Sequence, residues 1–212
     1  WLPKAKHPVH LMGSSIGAWR MAIACLPNAP AMFEQWAHDY IHQSFPSAPG
    51  RAPTAATVTN VFRQKLDEHI ADAEAQILAH PTYRMHVFTS RGRGLLNREG
   101  RALSRVTTPL AYAGAFVSNM ARRRAMGGWL ERVVFSDPRS ALPVPLNDYR
   151  TQSVALDVNN LKPSILASCA IPFVLQAVHN IPGAPPGAYW DGGITDYHLH
   201  LNYAAMTEGL VL

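Results

Sequence analysis

The stretch "HLMGSSIGAWR", residues 10–20, holds the pattern that decides the fold, G-x-S-x-G, between two apolar segments. Gly13 and Gly17 are its glycines, and Ser15 is its central serine. The residues before it form an apolar run typical of a strand, and those after it have the spacing of a helix. A serine on a tight strand-to-helix turn projects free of the sheet. The stretch therefore predicts an α/β fold and a candidate nucleophile, although a glycine-rich turn without catalytic role has the same pattern.

Apolar spacing predicts alternating strands and helices along the rest of the chain. Steps of three and four between apolar positions indicate one long amphipathic helix over residues 58–80. The proline-rich residues 27–53 predict short helical turns and an irregular loop. The alternation favours a layered α/β fold with a largely parallel sheet. The remaining predicted strands are residues 9–12, 85–90, 132–136 and 153–157, and the remaining predicted helices are residues 16–26 and 107–124.

Length and composition indicate a single globular domain over residues 1–212. The chain is 48% hydrophobic and 16% charged, which excludes a disordered chain. A net charge of +5 favours anionic partners such as phospholipid headgroups, acidic ligands or nucleic acid. The longest apolar run, residues 165–178, falls short of the roughly 18 residues that a spanning helix needs, so we interpret it as core.

The two cysteines, Cys25 and Cys169, are too few and too far apart for a disulfide framework or a zinc cluster. We interpret them as reduced, buried thiols. Reduced cysteines favour a cytoplasmic location, with contact at a membrane surface as the alternative.

A serine hydroxyl needs a base to take its proton and donors to stabilise the oxyanion that its attack creates. The positive end of the predicted helix, with the N–H of Ile16, could face that oxyanion. Gly13 and Gly17 would let the backbone bend sharply at the turn.

A second candidate, "WDGG", stands far downstream, where Asp191 precedes Gly192 and Gly193. The glycines permit close backbone approach and a tight turn, which would place the carboxylate at the edge of a pocket. A turn-capping aspartate without a catalytic role is the alternative interpretation.

Three motifs in this order give the chain a family resemblance. They are "GSSIG" at residues 13–17, "ASCAIP" at residues 167–172 and Asp191-Gly192-Gly193. Over nearly its whole length the chain resembles a patatin-like phospholipase domain. The resemblance implies a three-layer α/β/α fold with a mainly parallel sheet. It also implies hydrolysis of phospholipid, lysophospholipid or other acyl esters by a Ser15–Asp191 dyad through an acyl-enzyme, without metal or organic cofactor.

Aspartate is a weak base at its usual pKa near 3.9. We expect partial burial beside Trp190 to raise the pKa of Asp191 and make it a better base. The glycine-rich oxyanion loop that precedes the nucleophile strand in the family has no counterpart before Val9. We therefore expect a domain truncated at its N-terminus, and the apolar ending "GLVL" is compatible with a truncated C-terminus as well.

Histidines offer an alternative catalytic arrangement. A Ser-His-Asp triad of the α/β-hydrolase kind could use His179, His198 or His200 with an acid such as Asp157. His198 and His200 could instead hold a metal, but the sequence specifies no third ligand.

Basic clusters raise two further hypotheses. Arg91 and Arg93 in "TSRGRG" could hold an anion, with a solvated loop as the alternative. The cluster Arg122, Arg123 and Arg124, near Trp129, could rest on an anionic membrane. A non-catalytic lipid- or nucleic-acid-binding module would use the same clusters, but the sequence has no nucleic-acid motif and we expect no nucleic-acid partner. The oligomeric state is not indicated.

Overall fold

The computed structural model describes residues 5, 7–94, 128–196, 198–206, 209 and 211. Within these residues, one mixed sheet forms the centre of the fold in the order β4-β3-β2-β6-β5, with β1 also paired to β2. The strands are β1 Val9–Ser14, β2 Tyr83–Gly92, β3 Leu130–Ser136, β4 Thr151–Ala155, β5 Val178–His179 and β6 Ala188–Asp191.

The α/β class is confirmed, but the expectation of a mainly parallel sheet is wrong. β1 with β2 and β3 with β4 are parallel, whereas β2 with β3, β2 with β6 and β5 with β6 are antiparallel. The reason lies in the connection after β2. Gly92, at the end of β2, pairs with Leu130, at the start of β3, so the chain returns at the end of the sheet where it left. A parallel strand would need a crossover to the opposite end.

Helices pack on one face of the sheet around the main core. Side chains alternate along β2, so Met85 and Val87 pack in this core with the helices, while Phe88 is directed to the other face of the sheet. The α1 residue Ile23 and the α3 residue Leu66 join this core. The helices are α1 Ile16–Ala24, α2 Ala29–Ile41, α3 Ala55–Ile70, α4 Glu74–Leu78, α5 Leu161–Ser168 and α6 Gly193–Asp196, followed by a 3₁₀ turn at Tyr203–Ala205.

Two helix predictions need correction. Helix α2 is one helix of 13 residues where we expected short helical turns and an irregular loop, because Pro30 lies in its first turn, where a fixed φ and a missing N–H are tolerated. The long helix over residues 58–80 is two helices, since the chain leaves α3 at Ala71 with φ of 48°. Ile70 and Ile77 both reach the core on either side of this break, so the apolar spacing continues across it.

The apolar run 165–178 is core only in part. Ile165 and Ala170 are fully buried, but Ile171 and Phe173 are exposed. Pro172 and the left-handed backbone of Phe173, with φ of 69°, turn the chain outward. None of the helices in the described part of the chain has the length and apolar character needed to cross a membrane. The predicted helix over residues 107–124 lies outside the described residues, so the third layer of the fold stays a prediction.

The predicted strands agree with the sheet to within a few residues. Residues 85–90 and 132–136 lie inside β2 and β3. Residues 9–12 lie inside β1, and residues 153–157 overlap β4.

Candidate active site

Ser15 forms the turn between β1 and α1. Its φ is 55° and its ψ is −138°, a conformation that a residue with a side chain rarely adopts. The hydroxyl of a serine at a helix N-cap usually accepts a hydrogen bond from a backbone N–H in the first turn. The Ser15 hydroxyl makes no such bond. The Ser15 hydroxyl instead donates to Asp191 Oδ2 at 2.7 Å.

The two glycines of the G-x-S-x-G pattern differ in what they do. A Cβ on Gly13 would lie 2.7 Å from the Ala18 amide nitrogen, so only glycine lets α1 pack this closely against β1. A Cβ on Gly17 would meet no atom within 4 Å. The expected steric need for glycine therefore holds at Gly13 and not at Gly17.

Strand register explains how Ser15 meets a residue so distant in sequence. β3 occupies one edge of β2, so β1 and β6 share the other edge. β1 ends where Ser14 pairs with Phe88, and β6 ends where Asp191 pairs with Thr89. The two strands run toward each other and finish at consecutive positions of β2. The residue after β1 and the last residue of β6 therefore come together.

The Asp191 carboxylate is held by the turn that follows β6. Gly193 donates its backbone N–H to Asp191 Oδ1 at 2.6 Å, and the Asp191 N–H donates to Ala170 O at 3.0 Å. A Cβ on Gly192 would lie 2.8 Å from both the Phe88 carbonyl carbon and Ser14 Oγ, so this glycine permits the close approach to β2.

Burial sets the electrostatics of the Asp191 carboxyl. Asp191 is 5% exposed, and desolvation raises its pKa above the ordinary value. The hydrogen bonds from Ser15 and Gly193 oppose this rise without cancelling it. The direction is the expected one, although strand alternation directs the neighbouring Trp190 side chain to the opposite face of the sheet.

Ser168 joins the two halves of the site, a role that the sequence did not reveal. It is fully buried at the end of α5. Its Oγ accepts from the Ser15 N–H at 2.8 Å and donates to Phe88 O at 2.7 Å. The hydroxyl fills the junction between β1 and β6, where Phe88 and the strained turn need hydrogen-bond partners. Its place inside "ASCAIP" was the available signal, but that motif by itself assigns no contact.

The start of α1 offers donors for an oxyanion. The first N–H groups of a helix have no acceptor within the helix, and the macrodipole makes this end positive. The Ile16 N–H belongs to this first turn, while the Ser15 N–H is occupied by Ser168. An oxyanion-binding role for Ile16 stays a prediction.

Ser15 Oγ donates to Asp191 and not to a histidine of the alternative triad. His179 is exposed on β5, and His198 stacks on His200 with ring centroids 5.3 Å apart. Asp157 Oδ1 accepts from the backbone N–H groups of Asn159 and Asn160, which makes it a turn-capping residue. Across the described residues, no group of three His, Cys, Asp or Glu side chains could hold a metal ion.

The predicted anion site at Arg91 and Arg93 has intramolecular partners. Thr89 to Gly92 still belong to β2 rather than to a loop. Arg91 donates to the fully buried Glu131 at 2.7 Å and to Pro186 O at 2.6 Å. Arg93 Nε lies 3.9 Å from Glu131. Anion binding there stays a prediction without support from these contacts, and Arg122, Arg123 and Arg124 lie outside the described residues.

Comparison with known proteins identifies a family. The family model described as patatin-like phospholipase matches residues 2–198. Searches of curated proteins and of solved structures find no match. The family model covers most of the chain, including both site motifs. The chain therefore belongs to the patatin-like phospholipase family, a family of lipid hydrolases.

Proposed function

We propose that this chain hydrolyses lipid acyl esters through an acyl-enzyme on Ser15, with Asp191 as the general base. One observation carries the proposal: the hydroxyl of a serine on a strained strand-to-helix turn donates directly to a buried carboxylate at 2.7 Å. A nucleophile and base within hydrogen-bond reach are the minimum that serine catalysis requires. The family description names phospholipids as the substrate class, and lysophospholipids are the related class that the sequence resemblance implies.

The first half-reaction forms the acyl-enzyme. Ser15 Oγ attacks the ester carbonyl carbon while its proton passes to Asp191 Oδ2. The tetrahedral intermediate collapses, the bond to the alcohol oxygen breaks, and Asp191 returns the proton to the leaving alcohol. The second half-reaction repeats these steps with water as nucleophile, which releases the fatty acid and restores the Ser15 hydroxyl.

Burial of Asp191 makes the carboxylate a stronger base than an exposed aspartate. A base works best when its pKa lies near the working pH, and desolvation raises the pKa of Asp191 in that direction. The Gly193 N–H on Oδ1 keeps the carboxylate oriented and leaves Oδ2 directed at Ser15. The proton transfer therefore needs no intervening histidine.

Positive charge at the start of α1 favours the developing oxyanion. The Ile16 N–H and the helix dipole would stabilise it, because a donor aimed at the oxyanion acts more strongly in the transition state than in the ground state. Since Ser168 fixes the Ser15 amide, the first turn of α1 is held in a constant orientation relative to Asp191.

The proposal is tested by labelling with a fluorophosphonate probe and by turnover of a short-chain acyl ester. Both signals should disappear in Ser15→Ala, and turnover should fall sharply in Asp191→Asn. His198→Ala is the matched control and should retain both. Labelling and turnover that persist in Ser15→Ala, or turnover lost in His198→Ala, would contradict the Ser15–Asp191 assignment.

A further inference from the structure

An exposed apolar loop begins directly after Ala170, the residue whose carbonyl accepts from the Asp191 N–H. Residues 171–174, "IPFV", follow α5 and are called the IPFV loop. Their exposed fractions are 48% for Ile171, 66% for Phe173 and 48% for Val174. Side chains of this size are normally buried, so several of them together at the surface indicate a site that contacts lipid or another molecule.

The IPFV loop is fixed at both ends. On one side, Ala170 O accepts from the Asp191 N–H, so the residue before the loop is bonded to the proposed base. On the other side, Leu175 is 2% exposed and packs with Val58, and the Gln176 N–H donates to Thr59 Oγ1 at 2.9 Å. The hydrogen bonds and packing at its two ends therefore hold the loop in a fixed position beside the site.

Backbone conformation holds Phe173 outward. Its φ of 69° lies in the left-handed region, which bulky side chains rarely occupy. The turn closes through the N–H groups of Val174 and Leu175, which both donate to Ile171 O. Strain at a bulky exposed residue is kept in a fold only when the surroundings fix it, and such residues concentrate at functional sites.

The surroundings of the loop suit an apolar phase. Residues 163–190 contain no Asp, Glu, Lys or Arg, so no charge of this segment would lose water when the loop enters lipid. The whole chain carries a net charge of +5, which attracts anionic headgroups. A second protein copy fits poorly, since a stable interface buries about 800 Å² on each partner and three partly exposed side chains fall far short.

We infer that the IPFV loop inserts into the surface of phospholipid aggregates and brings the Ser15–Asp191 site to the lipid interface. The inference rests on the proposed acyl-ester hydrolysis for its purpose, but the binding itself does not depend on turnover. The loop follows Ala170, whose carbonyl accepts from the Asp191 N–H, so an inserted loop would hold the site next to the lipid surface.

Binding is tested in a Ser15→Ala background, so that no lipid is hydrolysed during the measurement. The probe is a vesicle of phosphatidylcholine and phosphatidylglycerol, followed by sedimentation. The test variant is Ile171→Ser with Phe173→Asn, because asparagine accepts the left-handed backbone at that position. The matched control is Val158→Asn, which removes another exposed valine, 50% exposed, from a turn elsewhere.

We expect the test variant to lower vesicle partitioning by about tenfold or more, and the control to leave it unchanged. With Ser15 intact, the test variant should hydrolyse a monomeric short-chain ester at the wild-type rate and vesicle lipid more slowly. The inference is overturned if Ser15→Ala protein binds no vesicles, if the test variant binds as tightly as its parent, or if Val158→Asn loses as much. A wild-type dimer that the test variant dissociates would also overturn it.

Failure of the proposed function gives a different pattern. In that case wild type turns over neither the soluble ester nor vesicle lipid, while vesicle binding still depends on Ile171 and Phe173. That pattern would leave the lipid-docking surface standing and remove the acyl-ester hydrolysis.

Discussion

Two buried aspartates lie five positions apart, Asp191 at the end of β6 and Asp196 at the end of α6, and they accept hydrogen bonds from different side chains. Asp196 is 2% exposed and accepts from Arg132 Nη2 and Nε, at 2.6 and 2.8 Å, and from the Tyr149 and Thr195 hydroxyls. Asp191 is 5% exposed and accepts from the Ser15 hydroxyl and the Gly193 N–H. No basic side chain of the described residues forms an ion pair with it.

The difference separates a structural carboxylate from a reactive one. The charge on Asp196 is compensated, since Arg132 is itself fully buried and also pairs with Asp148 at 2.7 Å. The charge on Asp191 is desolvated without a cation, and its pKa rises as a result. Buried carboxyls without a compensating cation are costly to a fold, which is why they mark candidate functional sites.

The largest effect is expected from Asp191→Asn. Removing a general base costs about 10²–10⁴-fold in rate, so kcat on a soluble acyl ester should fall by that factor. The fold should be at least as stable as wild type at pH 7. The pKa of Asp191 is raised by folding, so its contribution to stability is present at low pH and is lost as the pH rises through the folded-state pKa.

Asparagine carries no such charge, so thermal unfolding of Asp191→Asn at neutral pH should not occur below the wild-type temperature. If Asp191→Asn loses both activity and stability, Asp191 is a structural residue like Asp196.

Asp196→Asn should do the reverse. It leaves the buried Arg132 guanidinium with less compensation, and breaking a buried ion pair costs about 3–5 kcal/mol. Denaturant unfolding should show this loss. The paired change Arg132→Met with Asp196→Leu should recover much of it, since an apolar pair of similar size leaves no buried charge. Equal stability of Asp196→Asn and wild type would remove the contrast between the two aspartates.

Ser168→Ala should produce an intermediate effect on the turn that carries Ser15. The Ser15 N–H loses its acceptor, and an unsatisfied buried group costs about 1–3 kcal/mol. Because the lost hydrogen bond holds the turn that carries the nucleophile, kcat should fall while KM changes little. Ser164→Ala is the matched control, because Ser164 is also fully buried on α5 but donates to Leu161 O. An equal fall of kcat in both variants would make Ser168 a general packing residue.

The sequence predicted the two ends of the site but not how they meet. Ser15 and Asp191 stand in motifs whose local chemistry is visible without a structure. Their contact depends on β1 and β6 sharing one edge of β2, with ends at Phe88 and Thr89. Apolar spacing within one strand predicts which of its faces is buried, but it does not predict which distant strand becomes its neighbour.

Other features were hidden for the same physical reason. The bond from Ser15 to Ser168 joins residues 153 positions apart. The Arg132–Asp196 pair lies on the sheet face opposite the main core, and polar side chains buried there have the same sequence pattern as exposed ones. Apolar spacing also predicted, wrongly, that Phe173 belongs to the core. Phe173 is exposed because its backbone turns outward, although its side chain is apolar.

The most direct measurement is the pH dependence of fluorophosphonate labelling, made on wild type, Asp191→Asn and His198→Ala. The labelling rate of wild type should rise with pH through one ionisation whose apparent pKa lies above the ordinary aspartate value of about 3.9. That rise should be absent in Asp191→Asn and unchanged in His198→Ala. A rise that persists in Asp191→Asn, or that disappears in His198→Ala, would show that Asp191 is not the base that activates Ser15.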